Sequence, residues 1–171
     1  MNSIKQPEWN HFDKSESLKE FGKWLHNEAR RIFEKDKTHT QIIFMFDAEE
    51  GLISVNQVPP NTSNDQIING VRQAITENDI YGVVSVAEAW TYFPKGKRDH
   101  TVVQLLHNEM GVADLNEDDR TEALLVRMES RDGEHITWMD QIIRDGVDTR
   151  LGSSALLPKE KCINFKCWFD N

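Results

Sequence analysis

A long apolar run, YGVVSVAEAWTYF at residues 81–93, ends at Pro94 and carries a strong strand signal. Its length and its β-branched and aromatic residues are typical of a strand at the centre of a sheet. Because side chains alternate between the two faces of a strand, Val86, Glu88 and Trp90 share one face and smaller side chains occupy the other. We expect a helix to pack on the small side, which leaves the Glu88 side free of helices.

Three elements are predicted before this strand. Residues 17–20 fit a helix-capping box, and the apolar residues that follow recur on one helical stripe. The stripe consists of Leu18, Phe21, Leu25, Ala29, Ile32 and Phe33. Two strand-like runs, residues 41–46 and 52–58, flank a polar turn and predict a hairpin. A second amphipathic helix is predicted over residues 67–75, with caps at residues 62–64.

The second half of the chain predicts an excursion, another hairpin and a last strand. Residues 95–120 are polar at both ends, and a short extra helix is predicted within residues 100–110. An Asp-Gly pair between the strand-like runs 121–130 and 134–144 is a strong hairpin signal. The tail, residues 163–169, is expected to form a terminal strand that tucks its aromatic side chains against the body.

This order of elements predicts an α+β fold. Sequential antiparallel pairing is simpler here than a doubly wound parallel sheet, because successive strands can follow one another. We therefore expect a single, mostly antiparallel sheet with both amphipathic helices packed on one face. A chain of 171 residues suffices for one domain, which we assign to residues 14–171, behind a flexible N-terminal arm at residues 1–13.

Composition excludes several classes of function. With 20 basic against 29 acidic residues, the net charge of −9 disfavours nucleic acid as a partner. The local basic cluster of Lys95, Lys97 and Arg98 is interpreted as a solvated turn. A mean hydropathy of −0.61, without an apolar run near the ~20 residues that span a bilayer, excludes a membrane protein. The first residues do not resemble a secretory signal, so we expect a cytoplasmic protein.

Neither a metal nor a cofactor is indicated by the spacing of residues. Cys162 and Cys167 stand five apart in a segment that looks extended, so a local disulfide is not expected. The two-residue cysteine spacing of zinc ribbons is also lacking. The glycines are scattered singly, without a phosphate-binding loop. We expect buried reduced thiols, no metal and no cofactor.

Glu88 is the best single candidate for chemistry. Between Val86 and Trp90, an apolar surround would raise the pKa of its carboxyl group and suit it to general acid or base work. A carboxylate in this place could also hold a cationic ligand. Two alternatives stay open: a glutamate that faces solvent, or one that is paired with Arg127 or Arg144 from a neighbouring strand.

An enzymatic interpretation would pair Glu88 with a histidine from residues 95–120. His100 and His107 are the candidate partners, for a small hydrolase-like or acid/base reaction. Neither histidine belongs to a zinc-binding pair on one helix, and the chain has no nucleophile-elbow motif. Residues 95–120 could form a lid over Glu88 or a surface loop. Of the two classes we favour a non-catalytic protein.

Short motifs resemble those of small uncharacterised bacterial proteins of the kind found in genomes, phages and integron cassettes. The strand SVAEAW at residues 85–90, the run TEAL at residues 121–124 and the later Asp-Gly turns carry the resemblance. It spans residues 40–150, and this chain departs from it just ahead of the glutamate and in its long excursion. The resemblance implies that Glu88 and Trp90 occupy a characteristic place of the fold, and it implies no activity.

Apolar patterning on both faces of the sheet predicts an interface. The alternating residues 42–46 and 123–128 place apolar side chains on both sides, so the helix-free face must be covered. We expect a non-catalytic cytoplasmic protein that binds through this face, around Glu88, Trp90 and Tyr92. A second copy of the chain, giving a homodimer, is the simplest partner. A small hydrophobic or cationic ligand is the alternative.

Overall fold

The computed structural model describes residues 5–91, 120–158 and 167–169 of the chain. The elements are, in chain order, a 3-10 turn (His11–Asp13), α1 (Lys14–Asp36), β1 (Ile42–Asp47), β2 (Gly51–Gln57), α2 (Asn64–Glu77), β3 (Ile80–Thr91), β4 (Thr121–Ser130), β5 (His135–Asp145) and β6 (Asp148–Pro158). These strands form one antiparallel sheet in the order β2-β1-β3-β4-β5-β6. The predicted α+β class and the single sheet are confirmed.

Helix α1 begins before the predicted capping box. Asp13 is the N-cap, and its side chain accepts a hydrogen bond from the backbone N–H of Glu16 at 3.4 Å. Ser17 lies inside the helix and accepts a hydrogen bond from the backbone N–H of Asn10 at 3.0 Å. The prediction of a cap at Ser17 is wrong because Asp13, an equally good capping residue, occupies that position.

The predicted apolar stripe of α1 packs on one face of the sheet, which we call the α1 face. Its buried members are Leu18, Phe21, Leu25, Ala29 and Phe33. They pack together with Phe44, Val84 and Val126 from three different strands. A Cβ atom at Gly82 would come within 2.5 Å of the Leu18 side chain, so the glycine lets helix and sheet approach closely.

Helix α2 covers the opposite face, which we call the α2 face. The predicted cap is confirmed, since Ser63 forms a capping box at the start of the helix. Val71 of α2 packs with Met45 and Val83, whose side chains alternate with those on the α1 face. The prediction that both helices pack on one face is therefore wrong. β1 and β3 carry apolar side chains on both faces, so each face needs a cover of its own.

The strand predictions are confirmed except near the C-terminus. Both hairpins are present, as β1–β2 and β4–β5, and the long central strand is β3. β6 was not predicted because its sequence, DTRLGSSALLP, is poor in β-branched and aromatic residues. The described part of the predicted last strand, residues 167–169, is not a strand, and Trp168 and Phe169 form a bend. Trp168 and Phe169 are nevertheless buried on the α2 face, as expected of a tail that tucks its aromatic side chains.

Trp9 fixes the predicted N-terminal arm to the α1 face. Its ring stacks on Phe46 with the centroids 5.4 Å apart, and its Nε1 donates a hydrogen bond to the carbonyl of Ala48 at 3.1 Å. These contacts dock the arm at Trp9, and its flexibility stays a prediction. The excursion up to residue 119, with its predicted short helix at residues 100–110, lies outside the described residues. Neither described helix has the length and apolar character that crossing a membrane requires.

Candidate functional site

Glu88 lies on the α1 face of β3, beyond the end of the helix that covers this face. Its side chain alternates in step with those of Val84 and Val86, which are buried under α1. The prediction of a helix-free face for Glu88 is therefore wrong. The smaller side chains of β3, which alternate with Glu88, lie on the α2 face. They were expected to lie under a helix.

Charged and polar groups surround Glu88. Its Oε2 lies 3.1 Å from Nη2 of Arg144, and its Oε1 accepts a hydrogen bond from the backbone N–H of His39 at 2.5 Å. Arg144 also binds both carboxylate oxygens of Glu122, with Nε at 2.8 Å and 3.0 Å from them. The alternative in which Arg144 pairs with Glu88 is confirmed, and Arg127 pairs with Glu129 on the other face. In this arrangement the Glu88 carboxylate joins β3 to Arg144 of β5 and to the backbone of His39.

The other predicted site residues divide into one that the structure describes and three that it does not. Trp90 is 43% exposed, and the guanidinium of Arg120 lies over its ring, 4.3 Å from the centroid. Tyr92, His100 and His107 fall within residues 92–119, outside the described chain. A pairing of Glu88 with either histidine therefore stays a prediction.

The sequence analysis did not predict a buried charged cluster that lies under α1. Asp140 of β5 is fully buried and contacts His26, Arg30 and Ser154. Burial raises the pKa of Asp140, but the hydrogen bonds from His26 and Ser154 and the charge of Arg30 outweigh it and hold this pKa below its usual value. Ser154 and His26 both bind the aspartate, whereas a catalytic triad needs the serine on the histidine. The cluster therefore fastens α1 to the sheet.

An apolar groove of about 500 Å³ opens on the α2 face, between α2 and the β1–β2 hairpin. Its lining residues are Ile43, Met45, Ile53, Ser54, Asn56, Gln57, Val58, Pro59, Thr62, Gln66, Ile67, Gly70, Val71, Ala74, Asn78 and Ile80. None of these described residues is charged, although 29% of the whole chain is. The groove therefore presents aliphatic walls with a few neutral amide and hydroxyl groups.

Two residues show how the sequence leaves this groove open. Gly70 interrupts the middle of α2, and a Cβ atom added there would meet no atom within 4 Å. Ile53 of the edge strand β2 lines the groove and is 44% exposed. A glycine inside an amphipathic helix was the one local signal in the sequence, but the groove itself forms between elements whose contact a single sequence does not reveal.

Comparison with known proteins gives a family and no activity. The family described as Bacteriophage lambda protein ea47 matches residues 4–168. No curated protein matches the chain, and neither does any solved structure. The expected resemblance to small phage-type proteins is confirmed at this level, whereas the genomic and cassette relatives are not among the matches. Because the match covers almost the whole chain, this protein belongs to the bacteriophage lambda ea47 family.

Proposed function

We propose that this chain is a non-catalytic cytoplasmic binding protein that takes a small, uncharged, apolar ligand into the groove between α2 and the β1–β2 hairpin. The groove itself is the observation that carries the proposal. Its volume of about 500 Å³ lies within the range of roughly 300–1,000 Å³ that is common for small-molecule sites. Mostly apolar walls with a few hydrogen-bonding groups are also typical of such sites.

The lining defines the chemical class of the ligand. Ile43, Met45 and Val71 form an aliphatic floor, and burial of apolar surface against it would drive binding. Asn56 and Gln57 bring amide groups that can both donate and accept hydrogen bonds. A charged ligand would lose hydration without gaining an opposite charge among the lining residues. The ligand is therefore uncharged, largely apolar and equipped with one or more hydrogen-bonding groups.

Two further observations support the non-catalytic and cytoplasmic parts of the proposal. Glu88, the residue best suited to catalysis by its place in the sequence, is bound to Arg144 and to the His39 backbone. Cys167 is a free thiol, which fits a reducing compartment such as the cytoplasm.

Binding of an uncharged fluorescent probe, N-phenyl-1-naphthylamine, tests the groove. We expect saturable binding to the wild-type protein. Gly70→Phe places a ring in the groove from a position with open space around it, and should weaken binding at least ~10-fold, or about 1.4 kcal/mol. Val55→Phe adds the same ring at an exposed position of β2 outside the groove lining, and should leave binding unchanged. Wild-type protein without saturable binding, or equal binding by Gly70→Phe, contradicts the proposal.

Self-association through Trp90 is a second candidate function. The observation in its favour is the exposed Trp90 ring with Arg120 stacked on it, since tryptophan and arginine dominate the binding energy of many interfaces. Light scattering during gel filtration at several concentrations tests it. A homodimer that Trp90→Glu converts to a folded monomer supports this candidate, and a wild-type monomer at every concentration removes it.

A further inference from the structure

A cluster of three metal-ligating side chains lies on the α2 face and shares no residue with the groove lining. Glu129 comes from β4, His135 from β5 and Cys167 from the C-terminal tail. One potential ligand atom from each residue lies within 4.8 Å of the other two. Glu129 and His135 are only 4% and 7% exposed, so the fold has enclosed donor groups that are normally left at the surface.

The sheet and the tail both contribute to this arrangement. Glu129 and His135 are register partners on adjacent antiparallel strands, which brings their side chains together on the same face. The Glu129 carboxylate accepts hydrogen bonds from the backbone N–H groups of Trp168 (3.1 Å) and Phe169 (3.0 Å). These two bonds hold the neighbouring Cys167 beside the pair. Arg72 donates a further hydrogen bond to the Cys167 carbonyl at 2.8 Å.

We propose that Glu129, His135 and Cys167 bind a zinc ion. Thiolate sulfur, imidazole nitrogen and carboxylate oxygen are the donor types of protein zinc sites, and three such ligands with a water complete a tetrahedron. A carboxylate oxygen has two lone pairs, so Glu129 can hold the tail and bind the metal at once. Arg127 pairs with the Glu129 carboxylate at 3.0 Å.

The zinc ion would fasten the C-terminal tail to the sheet. Trp168 and Phe169, which follow Cys167 directly, complete the apolar cluster under α2. The spacing rules of the sequence analysis do not detect this site, because its three ligands come from three separate elements. Cys162 and Cys167, the only cysteines, have no short zinc-binding spacing between them. Contact across the fold, rather than a local motif, defines this site.

Metal analysis and cobalt substitution of the full-length protein test the proposal. We expect stoichiometric zinc in the purified protein, and a cobalt–thiolate absorption band when Co²⁺ replaces it. Cys167→Ser should abolish the band, and His135→Asn should weaken metal binding by more than the roughly 10–100-fold that loss of an outer-shell partner costs. Cys162→Ser and His11→Asn are matched controls outside the proposed ligand set, and both should retain the metal.

Far-ultraviolet circular dichroism checks that each variant is folded. Cys167→Ser changes one atom of a half-buried residue, so this variant decides the question even if His135→Asn does not fold. Wild-type protein that binds neither zinc nor cobalt stoichiometrically overturns the proposal. A thiolate band that survives in Cys167→Ser but disappears in Cys162→Ser also overturns it, because it assigns the metal to a different cysteine.

Discussion

The two faces of the sheet are covered to different extents. On the α1 face, a helix of 23 residues buries eight of its residues against the central strands. On the α2 face, a helix of 14 residues buries Val71 alone, and the tail residues Trp168 and Phe169 fill part of the remaining surface. The α2 face accordingly contains the open groove and the cluster of potential metal ligands. The α1 face is therefore closed by its helix, whereas part of the α2 face stays open.

Polar groups follow the same division. Asp140 on the α1 face is completely enclosed by partners from α1 and β6. Glu129 on the α2 face binds backbone groups of the tail residues Trp168 and Phe169. We therefore expect substitutions on the α1 face to reduce overall stability, and equivalent substitutions on the α2 face to change binding or tail attachment more than stability.

A methionine-to-alanine substitution on each face should give the largest difference in stability between the two faces. Met128→Ala removes a fully buried side chain from the α1 face, and Met45→Ala removes one that borders the groove. Loss of a buried methionine costs about 2–5 kcal/mol, more where a closed cavity remains. We expect the loss in free energy of unfolding to lie near the upper end of this range for Met128→Ala and near the lower end for Met45→Ala. Urea unfolding measures both losses. Equal losses, or a larger loss for Met45→Ala, would contradict the contrast.

Asp140→Asn should cost on the order of 3 kcal/mol, because it breaks a buried ion pair from one side. The pKa of Asp140 is lowered in the fold, so its contribution is present above the unfolded value of about 3.9 and is lost as the pH falls through the lower folded value. Unfolding curves at pH 7 and below pH 4 measure both effects. The exposed Asp148→Asn is the control, and an Asp140→Asn protein as stable as this control would refute the role of the cluster.

Two glutamates of β4 allow a smaller, local comparison. Glu129→Gln weakens the attachment of the tail on the α2 face, and bonds to charged groups of this kind contribute about 1.5–3 kcal/mol each. Glu122→Gln alters the exposed contact with Arg144 on the α1 face. Hydrogen exchange at the Trp168 amide should accelerate in Glu129→Gln and stay unchanged in Glu122→Gln. Unchanged exchange in both variants would show that Glu129 does not hold the tail.

Two glycines on opposite faces should respond to alanine with opposite signs. Gly70→Ala adds a methyl group at a position in the middle of α2 where a Cβ atom meets no neighbour within 4 Å. This substitution should stabilise the fold by about 0.5–1 kcal/mol. Gly82→Ala forces a methyl group to within 2.5 Å of the buried Leu18 side chain and should destabilise the fold by about 1–3 kcal/mol. Thermal unfolding of both variants measures the signs. A stabilised Gly82→Ala protein would show that α1 is packed less closely than described.

Local periodicity predicted most elements but not their arrangement. The stripe of α1 and the capping box at Ser63 are properties of a few neighbouring residues, and both predicted helices are present. Alternation in β3 showed which side chains share a face of the sheet. Because Val83 and Val84 are both apolar, alternation could not show which helix covers which face. β6 carries no strong strand signal of its own and is held by its pairing with β5.

The candidate site was less predictable than the fold. A pairing of Glu88 with Arg127 or Arg144 was one of two open alternatives, the other being a glutamate that faces solvent. Only strand register distinguishes Arg144 from Arg127 as the partner. The contacts of His26 with Asp140 and of Cys167 with Glu129 join residues far apart in the chain. Such contacts depend on tertiary packing, which no local pattern encodes.

Mapping of backbone amide chemical shifts by NMR during titration with N-phenyl-1-naphthylamine tests the central claim most directly. The claim is that the α2 face, not the α1 face, carries the binding site. We predict saturable shift changes concentrated in β2 and in the groove-lining part of α2, near Gly70 and Val71. Changes confined to the end of the sheet that carries Glu88 and Trp90, or no saturable changes at all, would contradict the claim.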